Sequence, residues 1–303
     1  VESHHLPAQL ERLVTHLVDP PRDDVLVVVN HDSRSRDDLS KVAALPGVVV
    51  RRSPGGYSDG SHIRRYLDTA AWLRDQGLRY EWLSNLSGQD YPLRPPRAFE
   101  DGLREDVDGY LLAFPAFSPH SPWGPRLSTT RYHFRHSRLT DKLSPRAQQV
   151  ARGLQAVNYV QPWVRLTAST GLTLGVRRHD VPFSRDLACY GGSAWCTLRE
   201  GCVAYLLDYD ARDPGLRRYL ATTLAGDEVF IQTVLVNARR FRLVQDNLRF
   251  ITFAGSTNNS PRTLTSADLS SLRASNAGFA RKFDTRVDAA VLDALDAALA
   301  AAG

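Results

Sequence analysis

No methionine occurs among these 303 residues, cysteine occurs three times, and lysine supplies only three of the 38 basic side chains. The scarcity of cysteine excludes a disulfide framework: Cys189, Cys196 and Cys202 are odd in number and match no zinc or redox spacing. They sit in or beside apolar stretches, where buried free thiols in a reducing compartment are expected. No apolar run approaches the roughly 20 residues that span a bilayer, which excludes a transmembrane helix. The stretch Val1-Glu2-Ser3-His4-His5 lacks the basic-then-apolar pattern of a signal peptide, and a cytoplasmic location is expected. Several enzyme signatures are missing too. There is no Walker A loop, no Gly-x-Gly-x-x-Gly after the first strand, no Gly-x-Ser-x-Gly and no His-Glu-x-x-His. The absence of methionine has no physical account.

What is present is ordinary for a soluble globular protein: 43% apolar and 23% charged residues, with length enough for a sizeable core. The strong bias of arginine over lysine matches the codon usage of a GC-rich, bacterial genome. The net charge of +5 is spread along the chain without a dense basic run, which argues for a small anionic ligand and against a nucleic-acid track. No repeat and no linker divides the sequence, so one domain is expected.

Apolar residues at 6, 10, 13, 14 and 17 have helical spacing, and Val25 to Val29 is a run suited to a strand buried on both faces. A helix from Leu39 to Leu45, a strand at Val48 to Val50, a helix from Ser61 to Gln76 and a strand from Tyr80 to Leu86 follow. This alternation predicts an α/β fold whose parallel sheet is covered on both sides, with ligands bound beyond the carboxyl ends of the strands. Asp32 and Asp90 both fall there. Farther on, Tyr110 to Phe114 and Leu248 to Phe253 read as strands. Pro115 to Ser128 reads as a long binding loop, and Thr285 to Ala302 as a helix capped by Asp284. Asp227-Glu228 opens an otherwise apolar helix over Val229 to Asn237. Asp227 is expected as its N-cap, and Glu228 as a first-turn carboxylate kept ionised by the helix dipole, able to take a proton from a hydroxyl.

The segment Leu86-Ser87-Gly88-Gln89-Asp90-Tyr91-Pro92-Leu93 resembles the Leu-Ser-Gly-x-Asp-aromatic-Pro-Leu signature of the core-2/I-branching β-1,6-N-acetylglucosaminyltransferases and peptide O-xylosyltransferases. Asn30-His31-Asp32, Gly192-Ser193-Ala194-Trp195, Asp227-Glu228 with Gln232-Thr233, and Phe279-Ala280-Arg281-Lys282-Phe283 resemble further motifs of that family, in its order. The resemblance implies a GT-A, Rossmann-like glycosyltransferase fold with a mixed, mostly parallel central sheet. Its nucleotide-binding half would be about residues 1–115 and its acceptor and catalytic half about 116–303.

By the same resemblance, Glu228 is the base of an inverting transfer to an acceptor hydroxyl. Lys282, Arg262 and the neighbouring Arg281 face the diphosphate of a UDP-sugar, and Asp32, His4, His5 and Val1 face its nucleoside. Ser193, Trp195, Asp227, Arg131 and Phe253 fall on the sugar and acceptor side; Phe253 stands where the family usually has Trp. Arg131, His133 and Arg135 share the acceptor region without an alignable motif. Asp90 either orients the donor or caps the turn that Pro92 enforces, and Trp195 either stacks on a sugar or fills the core. No metal or other cofactor is expected, since Asp106-Val107-Asp108 reads as a charged turn. The implied donor is UDP-N-acetylglucosamine, with UDP-xylose second. The acceptor, a glycan, protein or small-molecule hydroxyl, stays open. A catalytically silent glycan-binding module and a metal-dependent transferase using Asp106 and Asp108 are the alternatives.

Overall fold

The computed structural model describes residues 1–55, 60–140, 144–168, 171–254 and 260–302. It begins with β1 (Glu2–Ser3), α1 (Pro7–Val18), β2 (Val27–Asp32), α2 (Ser40–Ala43), β3 (Val48–Ser53) and α3 (Ser61–Asp75). The three strands pair in parallel in the order β1-β2-β3. This is the parallel unit that the alternating pattern predicts, and α1 buries Leu10, Leu13, Val14, Leu17 and Val18 against it. Next come β4 (Trp82–Ser84), β5 (Asp90–Pro92), α4 (Pro96–Asp101) and β6 (Gly109–Pro115). A second region holds α5 (Gly124–Tyr132), β7 (Phe134–Thr140), α6 (Pro145–Leu154), α7 (Val157–Val160), β8 (Val164–Ala168) and β9 (Leu172–Arg177). Its strands form an antiparallel sheet of order β7-β9-β8.

The chain then returns through β10 (Tyr190–Arg199), α8 (Glu200–Arg212), α9 (Gly215–Leu220), a 3-10 turn at Gly226–Glu228, and α10 (Phe230–Ala238). It closes with β11 (Leu243–Val244), β12 (Arg249–Ile251), a 3-10 turn at Ser266–Asp268, α11 (Leu269–Ala274), β13 (Phe279–Arg281) and α12 (Ala290–Ala302). The sheet β11-β6-β10-β4 is mixed, as is β12-β13-β5. Together with the parallel N-terminal unit and the helices packed against these sheets, this is a mixed α/β core.

Two apolar clusters cut across the sequence. One joins α1, β2 and Tyr91 to Phe279, Phe283 and the buried face of α12. The other joins α3 to β6, β10, α8, α9 and α10. The clusters do not follow chain order: residues 264–299 pack back onto the N-terminal unit.

Three local expectations differ. Pro115 to Ser128 is not wholly loop, because Pro125 at the first turn starts α5 where its missing N–H costs nothing. Asp284 does not cap the last helix. Its carboxylate is held by Arg286 at 2.6 and 2.9 Å, and Asp288 accepts the Val291 N–H at 3.2 Å. Phe253 lies beyond the end of β12, 56% exposed. The three cysteines are buried free thiols, as expected.

The feature that shapes the site is a break in β10. Its ladder with β6 runs to Gly192 and resumes at Cys196. The buried Asn85 amide fills the gap, donating to Ala194 O at 2.8 Å and accepting from Cys196 N at 2.8 Å. Gly191 and Gly192 are required by close approach: a Cβ on Gly191 would lie 2.1 Å from the Trp123 ring, and one on Gly192 would lie 1.8 Å from Leu112 O. Replacing Asn85 with alanine strands two buried backbone groups. It should cost roughly 2–4 kcal/mol, read as a lower urea midpoint; an unchanged midpoint would show that the bulge holds itself.

Candidate active site

The excluded residues Ser193 to Trp195 project from the break in β10. Ser193 is fixed on three sides: Gln232 Nε2 donates to its carbonyl at 2.5 Å, Asn247 Nδ2 to its hydroxyl at 3.0 Å, and Trp195 N to the same hydroxyl at 3.2 Å. Trp195 is partly exposed and is not a core residue. Its ring carries the Arg281 guanidinium 4.1 Å from the centroid, and the His62 ring meets it edge-on at 5.2 Å.

Arg281 is the cross-strand partner of Asp90 in the antiparallel pair β13-β5. Its Nε lies 3.4 Å from Asp90 Oδ1, and Asp90 itself is fully buried, accepting from Ser87 N at 2.9 Å and Ser87 Oγ at 3.1 Å. Of the two roles expected of Asp90, the turn cap is present, and the carboxylate also faces the Arg281 guanidinium of β13. Arg249, also buried, donates to Asn247 O and to Asn85 O at 2.5 and 2.9 Å. Burial pulls the proton affinity of both arginines below the usual value, yet a guanidinium does not lose its proton in a protein. Nε and Nη1 of Arg281 and Nε of Arg249 have no hydrogen-bond partner among the described residues. Two buried cations therefore share one buried carboxylate. The excess positive charge and unused donors suit an anionic ligand.

Glu228 ends the 3-10 turn that packs on β10 and α3. Tyr132 Oη donates to Ala225 O at 3.3 Å, anchoring the entry to that turn. Two expectations fail here. Asp227 makes no capping hydrogen bond, because the turn precedes α10 and leaves Val229 at the cap position. Nor is Glu228 held ionised by a helix dipole. Burial, helped by the Asp227 charge, pushes its carboxyl up to about 7, against the opposing pull of Arg131. The side chain is still 35% exposed, enough for a substrate hydroxyl to reach it. Arg131 donates to Glu228 Oε2 at 3.2 Å and lies 4.6 Å above the Trp123 ring. Gly191, by admitting Trp123, thus reaches Glu228 through Arg131.

The remaining predicted residues divide. Asp32, at the carboxyl end of β2, is gripped by Arg34 (Nη2 at 2.7 Å) and the backbone N–H groups of Arg34 and Gly55, which hold its carboxyl far below the usual range. His4 and His5 stack at 4.1 Å just past β1, and burial lowers both imidazoles, leaving them neutral at pH 7. Val1 extends β1, its carbonyl accepting from Asn30 N at 2.8 Å. Asp32, His4 and His5 thus lie at the carboxyl ends of the neighbouring strands β2 and β1, and Val1 at the start of β1. Lys282 follows Arg281 directly, and its carbonyl accepts from Leu264 N. Neither a hydrogen bond nor an ion pair joins Lys282 to Glu228 among the described residues; the β10 bulge lies between their elements. Arg262 is instead committed to Asp268, through 2.9 and 2.6 Å contacts. His133 packs on Phe117 and Arg135 lines a separate cavity with Arg178 and Tyr219, so only Arg131 of that trio reaches Glu228. Asp106 is forked by Arg104, and Asp108 accepts the Arg242 N–H.

Sequence reasoning gave no site role to Glu2, His62, Asn85, Asn247 or Arg249, nor to Gln232, which it named only within the Asp227-Glu228 motif. Glu2 pairs with Arg65 and lies 3.6 Å from His62 Nε2, under the Trp195 edge. Only Asn85, immediately before the Leu86 motif, and Gln232, in the helix after Glu228, had a sequence signal nearby.

No protein-family model matches the chain. It is 28% identical over 243 residues to beta-glucuronosyltransferase GlcAT14A of Arabidopsis thaliana, covering 79% of this chain and 47% of that protein. GlcAT14B from the same plant is 27% identical over 275 residues, covering 90% and 55%. The chain thus spans about half the length of the curated relatives it matches. Among solved structures, core-mannan synthase A of Aspergillus fumigatus in its Mn/GDP form superposes with a TM-score of 0.32 at 9% identity, over 80% of this chain and 70% of that one. That fit is too loose to carry an argument.

With Arg131 opposing the upward shift of Glu228, Arg131→Gln should move the rising limb of any Glu228-dependent pH–rate profile from near 7 to higher pH. Below the midpoint each pH unit costs about tenfold in rate. A limb that stays in place would separate Arg131 from the titration.

Proposed function

We propose that the protein is a glycosyltransferase that moves a sugar from a nucleotide-sugar donor to an acceptor hydroxyl with inversion, Glu228 serving as general base. The observation that carries this reading is the Glu228 niche. A carboxyl tuned to about 7 is half deprotonated at neutral pH, so it takes a proton readily and is reset readily. Glu228 would remove the acceptor proton as that oxygen attacks the anomeric carbon from the side opposite the leaving group. The bond to the diphosphate breaks, and the departing charge falls to Arg281 and Lys282 across the bulge. Arg262, spent on Asp268, drops out of that role. Trp195 offers a face to a sugar ring, and Asp32 with His4 and His5 lines the nucleoside end.

The two plant relatives support glycosyl transfer as the reaction class, and the ordered motifs favour the branching-enzyme family and a UDP donor. N-acetylglucosamine is the sugar that family resemblance implies. Glucuronic acid is the second reading, favoured by the names of both relatives and by a cationic centre that would also receive a sugar carboxylate. With basic side chains on the diphosphate and Asp106 and Asp108 already engaged, turnover is read as metal-independent.

Glu228→Gln should lower transfer about 10²–10⁴-fold while calorimetric UDP binding stays near wild type. Transfer at the wild-type rate in that variant would remove the base assignment. Wild-type turnover of UDP-N-acetylglucosamine should persist in EDTA; loss there, restored by Mn²⁺, would contradict the metal-free reading. Turnover of UDP-glucuronic acid alone would decide for the second donor.

A further inference from the structure

The net charge of +5 is not spread evenly, contrary to what its total and the lack of basic runs suggest. Between Gly109 and His179 the sequence holds ten Lys and Arg residues against a single acid, Asp141. That stretch is +9, and the rest of the chain is net −4. The fold gathers much of it into one lobe, the β7-β9-β8 sheet with α6 and α7 along the β8 edge.

The same lobe exposes large apolar side chains. Val150, Leu154, Tyr159, Val160, Trp163 and Val176 are between 53% and 82% open. They are tied to one another and to the arginines. Arg177 N donates to Trp163 O at 2.8 Å, and Val164, Val176 and Arg135 stand opposite one another across the three strands. The Arg126 guanidinium lies 4.4 Å over the Tyr159 ring. Large apolar side chains exposed together in one lobe mark an interaction site more often than isolated ones do.

Several occupants are conceivable, and charge and chemistry separate them. A second copy meeting this face would set one arginine-rich surface against another. A nucleic acid would use the arginines and aromatic rings, but Val150, Leu154, Val160 and Val176 offer nothing to a base or a phosphate. Aliphatic side chains flanked by Trp, Tyr and Arg, with acid nearly absent, match the headgroup boundary of an anionic bilayer. There the apolar groups enter the acyl edge, the rings sit at the interface, and the cations meet lipid charge. We propose that this lobe docks on anionic phospholipid membrane, Tyr159, Val160 and Trp163 entering the headgroup layer and the surrounding arginines neutralising lipid phosphate.

The test is flotation of the full chain with vesicles of phosphatidylcholine alone or with phosphatidylglycerol added, at low and high salt. Light scattering and poly(U) binding are measured in parallel. The chain should float with the phosphatidylglycerol vesicles, float little with phosphatidylcholine alone, and be partly released by salt. The double variant Val160→Asp, Trp163→Ser should lose at least about tenfold in bound fraction with its thermal unfolding unchanged. Should that variant fold poorly, Arg146→Gln with Arg177→Gln should weaken the response to phosphatidylglycerol specifically. No flotation, equal flotation of wild type and variants, a patch-dependent dimer, or capture by poly(U) in place of vesicles would each overturn the proposal.

Discussion

A strand that pairs at both ends and not in the middle sets the geometry of this molecule. Between Gly192 and Cys196, β10 leaves its ladder, and the Asn85 amide takes over the hydrogen bonds that the neighbouring strand would have made. Leaving those buried backbone groups unpaired would cost more than an ordinary hydrogen bond contributes, so the replacement is obligatory. Freed from the sheet, Ser193 and Trp195 become the wall on which Arg281 rests, with Gln232 and Asn247 fixing Ser193. The paired glycines before the break allow Leu112 and Trp123 to approach, and Trp123 in turn supports Arg131 against Glu228.

Around that wall the structure treats positive and negative charge differently. Arg281 and Arg249 are desolvated but cannot give up a proton, so their charge is permanent and part of it is unpaired. Glu228 is desolvated and can change state, and burial outweighs the single guanidinium beside it. The proposed transfer calls on both kinds of group, a fixed cation for an anionic leaving group and a switchable carboxylate for the proton of an alcohol.

The sequence made the N-terminal unit readable because its strands are short β-branched runs and its helices keep a clear apolar stripe. Val48 to Val50 and the face of α3 are examples. The β7-β9-β8 sheet was not legible. In β7, basic and polar residues occupy most positions between Phe134 and Thr140, and β8 and β9 alternate apolar and polar residues over only five and six positions. At the site, motif order singled out Glu228, Asp90, Trp195 and Arg281. It could not rank Arg281 above Arg262, since that depends on the register placing Arg281 opposite Asp90 and on Asp268 lying within reach of Arg262. The state of Glu228 was misjudged for a related reason. Helix polarity is a local property readable from sequence, whereas desolvation depends on what the fold packs around the carboxyl.

The most direct measurement is the titration of Glu228 itself, by carbon NMR of glutamate-labelled protein with the resonance assigned through Glu228→Gln. The account predicts a carboxyl midpoint near 7, far from the ordinary glutamate range. A midpoint in that ordinary range would contradict it, because a carboxylate already ionised well below neutral pH would show that Arg131 and solvent, not burial, govern the group.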